Sequence, residues 1–465
     1  MKKQNKNFLY NLAYQLLTFI IPIILTPYIS RVLGADNIGV YSYSYSIVYY
    51  FMLLSMLGIN NYGSREIAKC KNKLERSKAF KGIYSIQIFC GLFAVLLYST
   101  LLFLYNYAHK EILLINTIFL ISSLLDINWF YFGREKFKLV TTRNIIIKIL
   151  SAIIIFVLVK TPHQLWLYAL LLNITTLLSQ IYMWLFLPKE IDNIKLDRTD
   201  ITKHIKPCLV FFIPVISYSI YRVMDKTMIG AIVESSELGN YENAEKIIKI
   251  PISIATALGT VMLPHMSKKN ALEIRNSIED TFRLSAFFTI PSAIALTIIA
   301  QDFSTIFFGD SFNKAGTIIQ FLTCTFIFSS IANVIRTNYL IPLKKDKIYV
   351  ASTILGAVTN LILNFIFIPR LGAYGACIGT IAAEFLLMFY QAIHTIKDID
   401  YFNVVKIYFK STILSVAMGL AMLSVSYISI PAINRILIQL SLGALVYCGI
   451  NHKYLIEEFL GKKES

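Results

Sequence analysis

Charged residues are scarce in this sequence of 465 residues. Asp, Glu, Lys and Arg make up 15% of the chain, hydrophobic residues make up 56%, and the mean hydropathy is +0.62. Soluble domains contain roughly 25% charged residues, because their surfaces face water. The deficit therefore excludes an ordinary soluble domain and predicts a chain that crosses a membrane many times.

Sequence motifs for metal binding, disulfide bonding and catalysis are also missing. The six cysteines are scattered, mostly within apolar segments, and none forms a Cys-x-x-Cys pair. The six histidines show no ligand spacing, and neither G-x-x-x-x-G-K-[ST], H-E-x-x-H nor G-x-S-x-G occurs. We therefore expect no metal or cofactor, no ATP hydrolysis by a phosphate-binding loop, and no enzymatic activity.

Acidic residues are fewer than basic ones, which gives a net charge of +17. The Lys and Arg residues lie in short runs between apolar segments, and roughly 32 of the 44 fall in alternate loops. The positive-inside rule produces this asymmetry, so it does not indicate a nucleic-acid partner. We expect a multi-pass protein of the cytoplasmic membrane, with the basic loops and both chain termini in the cytoplasm.

Apolar windows of about 20 residues, the length that spans a bilayer, predict an all-α protein with fourteen transmembrane helices. The alternating basic loops favour an even number of helices, with twelve as the alternative to fourteen. The predicted helices lie near 8–28, 38–58, 83–104, 112–132, 144–160, 165–187, 210–232, 244–264, 284–308, 316–341, 348–368, 376–396, 411–430 and 435–450.

A weak internal repeat predicts how these helices are grouped. Residues 38–41 (IGVY) recur 200 positions later as 238–241 (LGNY). We predict an N-terminal six-helix lobe at 1–206 and a C-terminal six-helix lobe at 207–400, with an additional helix pair and cytoplasmic tail at 401–465. Repeats of this kind are common in transporters, where the substrate site lies between the two halves.

Three charged residues lie close together inside one predicted span. Arg222, Asp225 and Lys226 fall within the apolar stretch 211–232. A charge at the bilayer centre costs about 2.5–3.5 kcal/mol, so we expect this face to meet a partner helix or a water-filled path. Mutual neutralisation of Arg222 and Asp225, three residues apart, is the simpler alternative. It leaves Lys226 unexplained.

Four other in-span cations predict an anionic cargo. Lys148, Lys246, Lys249 and Arg336 come from three further predicted helices. If these faces converge, the resulting low-dielectric cavity is cationic and attracts anions. Snorkelling to the membrane interface is the alternative for the segment from Glu245 to Lys249. For Arg336 the alternative is pairing with a carboxylate elsewhere.

Three in-span carboxylates, Asp126, Asp225 and Glu384, have two possible roles. They could hold the neighbouring cations in place, or they could titrate during an ion-coupled cycle. The residue pattern alone does not separate these roles.

Tyrosines recur at helical spacing in the second predicted helix. Tyr41, Tyr45 and Tyr49 fall on one face, interleaved with serines. Such a surface could stack on a sugar and form hydrogen bonds with it. An aromatic belt at the membrane interface is the alternative.

Six sequence strings have a recognisable order and spacing. They are 27–34 (PYISRVLG), 58–69 (GINNYGSREIAK), 126–138 (DINWFYFGREKFK), 222–230 (RVMDKTMIG), 238–247 (LGNYENAEKI) and 360–375 (NLILNFIFIPRLGAYG). Together they resemble the Wzx-type polysaccharide flippases, the polysaccharide transporter family of the MATE-like multidrug/oligosaccharidyl-lipid/polysaccharide superfamily. The resemblance covers about residues 8–396.

The resemblance implies two six-helix lobes that form a V around a central cavity, plus two extra C-terminal helices. The implied substrate is an undecaprenyl-pyrophosphate-linked oligosaccharide of a capsule, O-antigen or related polysaccharide, moved by alternating access with a proton or sodium gradient. The six in-span cations would then bind the pyrophosphate, Tyr41 and Tyr45 the sugar, and the three carboxylates would couple the ion. A polysaccharide polymerase and a chain-length regulator become candidate protein partners.

Three other functions are weighed against this one. A lipid II flippase would share the cationic cavity. A MATE-like drug/cation antiporter predicts a cavity dominated by carboxylates, the reverse of the pattern in these spans. A membrane-embedded polysaccharide polymerase or glycosyltransferase predicts a large loop with catalytic residues, whereas the longest polar connections here have about 25 residues.

Overall fold

The computed structural model of the chain describes residues 2–105, 108–195, 197–266 and 271–452. These residues form α-helices joined by short connections, and the described part contains no β-strand. The prediction of an all-α protein is confirmed. The chain separates into two compact units, 1–239 (unit 1) and 240–465 (unit 2).

Unit 1 contains eight complete helices. They are α1 (Lys2–Met56), α2 (Ile59–Lys69), α3 (Lys73–Leu104), α4 (Lys110–Leu124), α5 (Asn128–Gly133), α6 (Phe137–Leu158), α7 (Leu165–Trp184) and α8 (Arg198–Ile232).

Unit 2 begins five residues into α9 and contains the remaining helices, with a π-helical turn (Arg336–Leu340) directly after α12. They are α9 (Ser235–Met266), α10 (Ala271–Phe308), α11 (Ala315–Thr323), α12 (Thr325–Ile335), α13 (Asp346–Leu371), α14 (Ala373–Thr395), α15 (Tyr401–Ser426) and α16 (Ala432–Ile450).

Many of these helices are long and apolar enough to cross a membrane. In the described part of the chain ten segments meet this condition, or eleven if α11 and α12, bent by 44°, form one span. Large apolar side chains point outward from them: Phe103 is 84% exposed and Phe365 is 74% exposed. Such surfaces are unfavourable in water and suit lipid. The multi-pass prediction is confirmed.

Helix α1 contains a break where the sequence predicts a loop between two spans. Gly34 has φ 77° and ψ 172°, a backbone conformation outside the helical region. Glycine adopts it without the steric cost that a Cβ would add. The predicted helices at 8–28 and 38–58 are therefore one kinked element, and the connection between them is reduced to this residue.

Several predicted loops are partly helical. The basic segment 59–82 contains α2 and the start of α3, and the polar linker 188–206 contains the start of α8. At the start of α8, Asp197 and Asp200 form a capping box, each accepting a backbone N–H of the other. Such polar caps extend helices beyond their apolar spans, and a hydropathy window does not detect them.

Two predicted spans are interrupted. The span at 112–132 is split into α4 and α5, with Leu125–Ile127 between them, and the span at 316–341 consists of α11, α12 and the π-helical turn. Each break leaves backbone groups to be satisfied by side chains inside the protein. The break between α4 and α5 lies at one of the predicted site residues, Asp126.

Candidate functional site

The charged face of α8 packs within unit 1. Asp225 is 6% exposed, Lys226 is half-buried and Arg222 is exposed, and each of the three has interaction partners. Asp225 interacts electrostatically with Tyr50 on α1. Two residues later, the hydroxyl of Thr227 donates to the same Tyr50 hydroxyl at 3.4 Å, so Tyr50 packs against this part of α8. The buried carboxylate therefore lies on the side of α8 that meets α1.

Helices α1 and α8 approach each other closely at a glycine. A Cβ added to Gly230 would lie 2.5 Å from the ring of Tyr43, so this aromatic ring rests directly on the α8 backbone. Ser44 and Ser46 in the same stretch of α1 are buried. The contact fixes the position of α8 and, with it, the position of its charged turn.

The predicted tyrosine ladder lies on another face of α1. The rings of Tyr41 and Tyr45 stack at 6.1 Å, and Tyr45 and Tyr49 are 6.0 Å apart. Tyr41 contacts Tyr168 of α7 at 5.1 Å, and Tyr45 contacts Phe119 of α4 at 5.2 Å. Tyr50 lies nine residues after Tyr41, about two and a half helical turns, and so points to the opposite side. These ring contacts of Tyr41 and Tyr45 are therefore with α1, α4 and α7.

Asp126 occupies the break between α4 and α5. Its Oδ1 accepts the backbone N–H of Asn128 at 2.9 Å, and its backbone carbonyl accepts a hydrogen bond from Gln87 at 2.9 Å. The Oδ1 of Asn128 accepts a hydrogen bond from Arg143 at 2.9 Å, and Arg143 interacts electrostatically with Asp126. These bonds satisfy the interrupted backbone, which favours a structural role for Asp126.

Arg143 is the charged residue that the sequence reasoning missed. It is 5% exposed and also donates to the carbonyl oxygen of Ser179 on α7 at 3.0 Å. The sequence assigned it to the loop 133–143, one residue before the predicted helix. A hydropathy window excludes the polar first turns of α6, which begins at Phe137, and so placed Arg143 in the preceding loop. Lys148, on the same helix, is half-buried and has interaction partners of its own.

The lysines of α9 lie beside glutamates. Lys246 forms an ion pair with Glu242 at 3.4 Å, and Lys249 forms one with Glu245 at 2.6 Å. In both pairs the glutamate precedes the lysine by four residues, the favourable order on a helix. This segment therefore carries no net positive charge, and the cationic surface expected from these lysines is weaker than their number suggests.

Arg336 begins the π-helical turn after α12. Its Nη2 donates to Oδ1 of Asn333 at 2.6 Å, and its guanidinium lies 5.7 Å from the ring of Tyr349. Its Nε is buried and has no hydrogen-bond acceptor, and no carboxylate among the described residues pairs with it. π-helical turns occur frequently at functional sites. In the same unit, Glu384 accepts a hydrogen bond from Ser329 at 2.8 Å.

Each unit therefore holds one group of candidate site residues. In unit 1 the charged turn of α8 lies against α1, and in unit 2 Arg336 lies among amide and aromatic side chains with an unused donor. An arginine in such surroundings is suited to a phosphate or carboxylate ligand, since its planar guanidinium forms charge-assisted hydrogen bonds.

Comparisons with known proteins give the chain a family. The family described as "Polysaccharide biosynthesis protein" matches residues 5–270, more than half of the chain. A Shigella dysenteriae protein designated a candidate O-antigen transporter is 23% identical over 376 residues, covering 80% of this chain and 95% of that protein. An Escherichia coli (strain K12) protein of the same designation is 20% identical over 400 residues, covering 82% and 94%.

The fold also matches a solved structure. The lipid II flippase MurJ, in its inward closed conformation, aligns with a TM-score of 0.76 over 96% of this chain and 99% of that chain. The sequences are 19% identical, so this likeness concerns the fold alone.

Proposed function

Because the chain belongs to the polysaccharide biosynthesis protein family, we propose that it flips an undecaprenyl-pyrophosphate-linked oligosaccharide across the cytoplasmic membrane. The oligosaccharide would be the repeat unit of a capsule, O-antigen or related surface polysaccharide. Two of the relatives that align over most of their length are designated transporters, so the prediction that the protein is not an enzyme is confirmed.

The observation that carries the anionic part of this proposal is the environment of Arg336. Its guanidinium lies beside Asn333 and Tyr349, and its Nε is buried without an acceptor. A buried donor without a partner costs about 1–3 kcal/mol, and more when it is charged. A pyrophosphate oxygen would supply the missing acceptor and the compensating charge. We propose that Arg336 binds the lipid pyrophosphate during transport.

We propose Arg222 and Lys226 as the corresponding cations of unit 1. They lie on the turn of α8 that holds the buried Asp225, which supports a role for this carboxylate as their counter-ion or as a titrating group. Proton or sodium coupling through Asp225 or Glu384 belongs to the same proposal. Asp126 remains a third candidate, although its hydrogen bonds support a structural role.

The remaining predicted ligands have narrower roles in this proposal. Lys246 and Lys249 would have to exchange their glutamate partners for the substrate before they could bind it. Lys148 is a further candidate cation on α6. Tyr41 and Tyr45 would contact sugar through the edges that their stacked rings leave accessible.

The membrane arrangement that we propose has fourteen spans. Helices α8 and α9 and the separation of α1 at Gly34 would add three spans to the eleven counted above. The spans would form lobes at 1–206 and 207–400 and an additional pair at 401–465. The basic loops support cytoplasmic termini. A polymerase and a chain-length regulator stay predicted partners.

The proposal is tested by depleting the protein in its native host and identifying the lipid-linked intermediate that accumulates. A polysaccharide repeat unit on the inner leaflet is the expected result. Accumulation of lipid II would assign the protein to peptidoglycan synthesis instead, and the absence of any intermediate would contradict flipping.

The site is tested by Arg336→Ala and Arg222→Ala in the same strain. Both should abolish surface polysaccharide while the protein reaches its normal level in the membrane. Arg283→Ala is the matched control, because Arg283 is exposed on α10 and pairs only locally with Glu279 at 2.5 Å. Normal polysaccharide in both site variants would overturn the proposed role of these arginines.

A further inference from the structure

Within the part of the chain that the structure describes, a turn of uncommon backbone geometry occurs twice, 209 residues apart. Glu135 has φ 55° and Lys344 has φ 54°, in the left-handed region that non-glycine residues rarely adopt. The residues that follow are also alike: Lys136 has φ −86° and ψ 44°, and Lys345 has φ −86° and ψ 41°.

The backbone hydrogen bonds of the two turns correspond as well. The N–H of Lys136 donates to the carbonyl of Tyr131 at 2.9 Å, and the N–H of Lys345 donates to the carbonyl of Leu340 at 2.8 Å. Both bonds span five residues, and both turns lead directly into a long helix. Of the six residues in each turn, only the final lysine is shared (YFGREK and LIPLKK). The two turns therefore share their backbone geometry although their sequences have only one residue in common.

The shared lysine forms an ion pair in each unit. Lys136 Nζ donates to a carboxylate oxygen of Glu190, 54 residues later. Lys345 Nζ donates to Asp398, 53 residues later, at 3.0 Å. The two acidic residues are therefore separated along the chain by almost the same number of residues as the two turns.

Both ion pairs lie at the same place in the topology. Helix α6 begins directly after Lys136, and the chain reaches Glu190 shortly after α7 ends at Trp184. Helix α13 begins directly after Lys345, and Asp398 follows the end of α14 at Thr395. Helix α6 packs against α7, and α13 packs against α14. Each ion pair thus joins the two open ends of a helical hairpin.

We propose that Lys136–Glu190 and Lys345–Asp398 are a duplicated pair of latches that hold the hairpins α6–α7 and α13–α14 closed at their basic-loop ends, and that transport requires both. A closed hairpin moves as one body, so a conformational change in either unit would be transmitted through both of its helices. The transport part of this inference rests on the proposed function, whereas the structural part does not.

The two latches differ in redundancy. Glu190 is also contacted by Arg134 at 3.3 Å and by Arg76 at 3.9 Å, so loss of Lys136 leaves two cations beside the carboxylate. In unit 2, Lys345 also donates to the Tyr339 hydroxyl at 3.0 Å, so both bonds depend on one lysine. Disruption of Lys345 should therefore have the larger effect.

Charge reversal in unit 2 tests the latch. Lys345→Glu and Asp398→Lys would each place like charges together, and the double variant would restore the pair in reverse order. Each single variant should lower the Tm of the purified protein by about 2–4 °C and reduce polysaccharide export by more than half. The double variant should recover most of both losses. Arg283→Glu, which breaks a local pair on α10, is the control and should change neither quantity noticeably.

Two results would overturn the inference: single variants that behave like the Arg283→Glu control, or a double variant that recovers neither Tm nor export. The Tm measurement tests the latch independently of the proposed function. If depletion of the protein leads to no accumulated polysaccharide repeat unit, the proposed function fails while the Tm comparison still tests the latch. If the Tm of the single variants is unchanged, the latch fails whatever the transport assay shows.

Discussion

A methyl group added at Gly39 should destabilise the protein, because α1 and the start of α9 touch at this residue. A Cβ at position 39 would lie 1.7 Å from the carbonyl oxygen of Ser235, and a Cβ on Gly239 would lie 1.9 Å from the carbonyl oxygen of Ala35. The atoms met are backbone atoms, so no side-chain rotation can relieve the overlap. The two segments would have to separate by about 1.7 Å to reach the 3.4 Å of an ordinary contact.

The expected size of the effect follows from two opposing terms. Overpacking of this kind typically costs about 1–3 kcal/mol and occasionally more. Alanine is favoured over glycine in a helix by about 1 kcal/mol, which opposes the loss. Because the added Cβ would meet backbone atoms, we expect a cost in the upper part of the overpacking range. The net loss in the free energy of unfolding should then be about 2 kcal/mol. In a unit of this size, each kcal/mol corresponds to about 2–4 °C in Tm.

The assay compares the Tm of purified Gly39→Ala with that of Gly356→Ala. Gly356 lies inside α13, and a Cβ there would have its nearest neighbour at 3.4 Å, an ordinary contact. This control gains the same helix propensity without the overlap and should be as stable as the unmodified protein or slightly more so. A Gly39→Ala protein with a Tm equal to that of the control would refute the reasoning, since it would show that the close approach is not required.

Three further predictions follow from other contacts. Partial burial raises the pKa of Glu190, but hydrogen bonds from Lys136 and Arg134 outweigh it and hold the pKa below the usual value. The stability that this carboxylate provides is therefore present above its unfolded pKa of about 4.3 and is lost as the pH falls through the folded pKa. The difference in Tm between the unmodified protein and Glu190→Gln should be constant above about pH 5 and should shrink in more acidic buffer. A difference that grows at acidic pH would contradict this prediction. Arg435 forms a bidentate ion pair with Asp302 at 2.6 and 2.9 Å, so Asp302→Asn should lower the free energy of unfolding by up to about 1 kcal/mol. A double variant that reverses the two charges and does not regain Tm would argue against a simple ion pair. Asp126→Asn should lower the amount of folded protein, because Arg143 stays buried with less compensation, while export per folded molecule stays normal; a selective loss of export would instead support ion coupling.

Hydropathy predicts the positions of the helices well, because the requirement for an apolar span acts on about 20 consecutive residues. Each predicted span coincides with one or more observed helices. The same window fails where helices are polar, as in α2, and where a span is interrupted by a residue such as Asp126. These features depend on capping and on side chains that satisfy a broken backbone, which no running average can detect.

The candidate site could be predicted only in part. The spacing of Glu242 to Lys246 and of Glu245 to Lys249 already indicates two i, i+4 ion pairs. The absence of a net charge on these four residues could therefore be predicted from the sequence. Helical periodicity gave the shared face of Tyr41 and Tyr45, but it does not identify the helix which that face meets.

The duplicated turn could not have been found in the sequence at all. Its defining properties are the positive φ of Glu135 and Lys344 together with the hydrogen bond across five residues, and neither residue type favours such a φ.

The buried position of Arg143 has a consequence for biogenesis. Its partners Asp126 and Asn128 precede it in the chain, so they leave the ribosome first, whereas Ser179 is synthesised later. When α6 is synthesised, the groups that neutralise and bind its arginine are therefore already part of the chain and can pair with it before Ser179 is made. Exchanging the order of these segments would leave every final contact possible but would remove this early pairing.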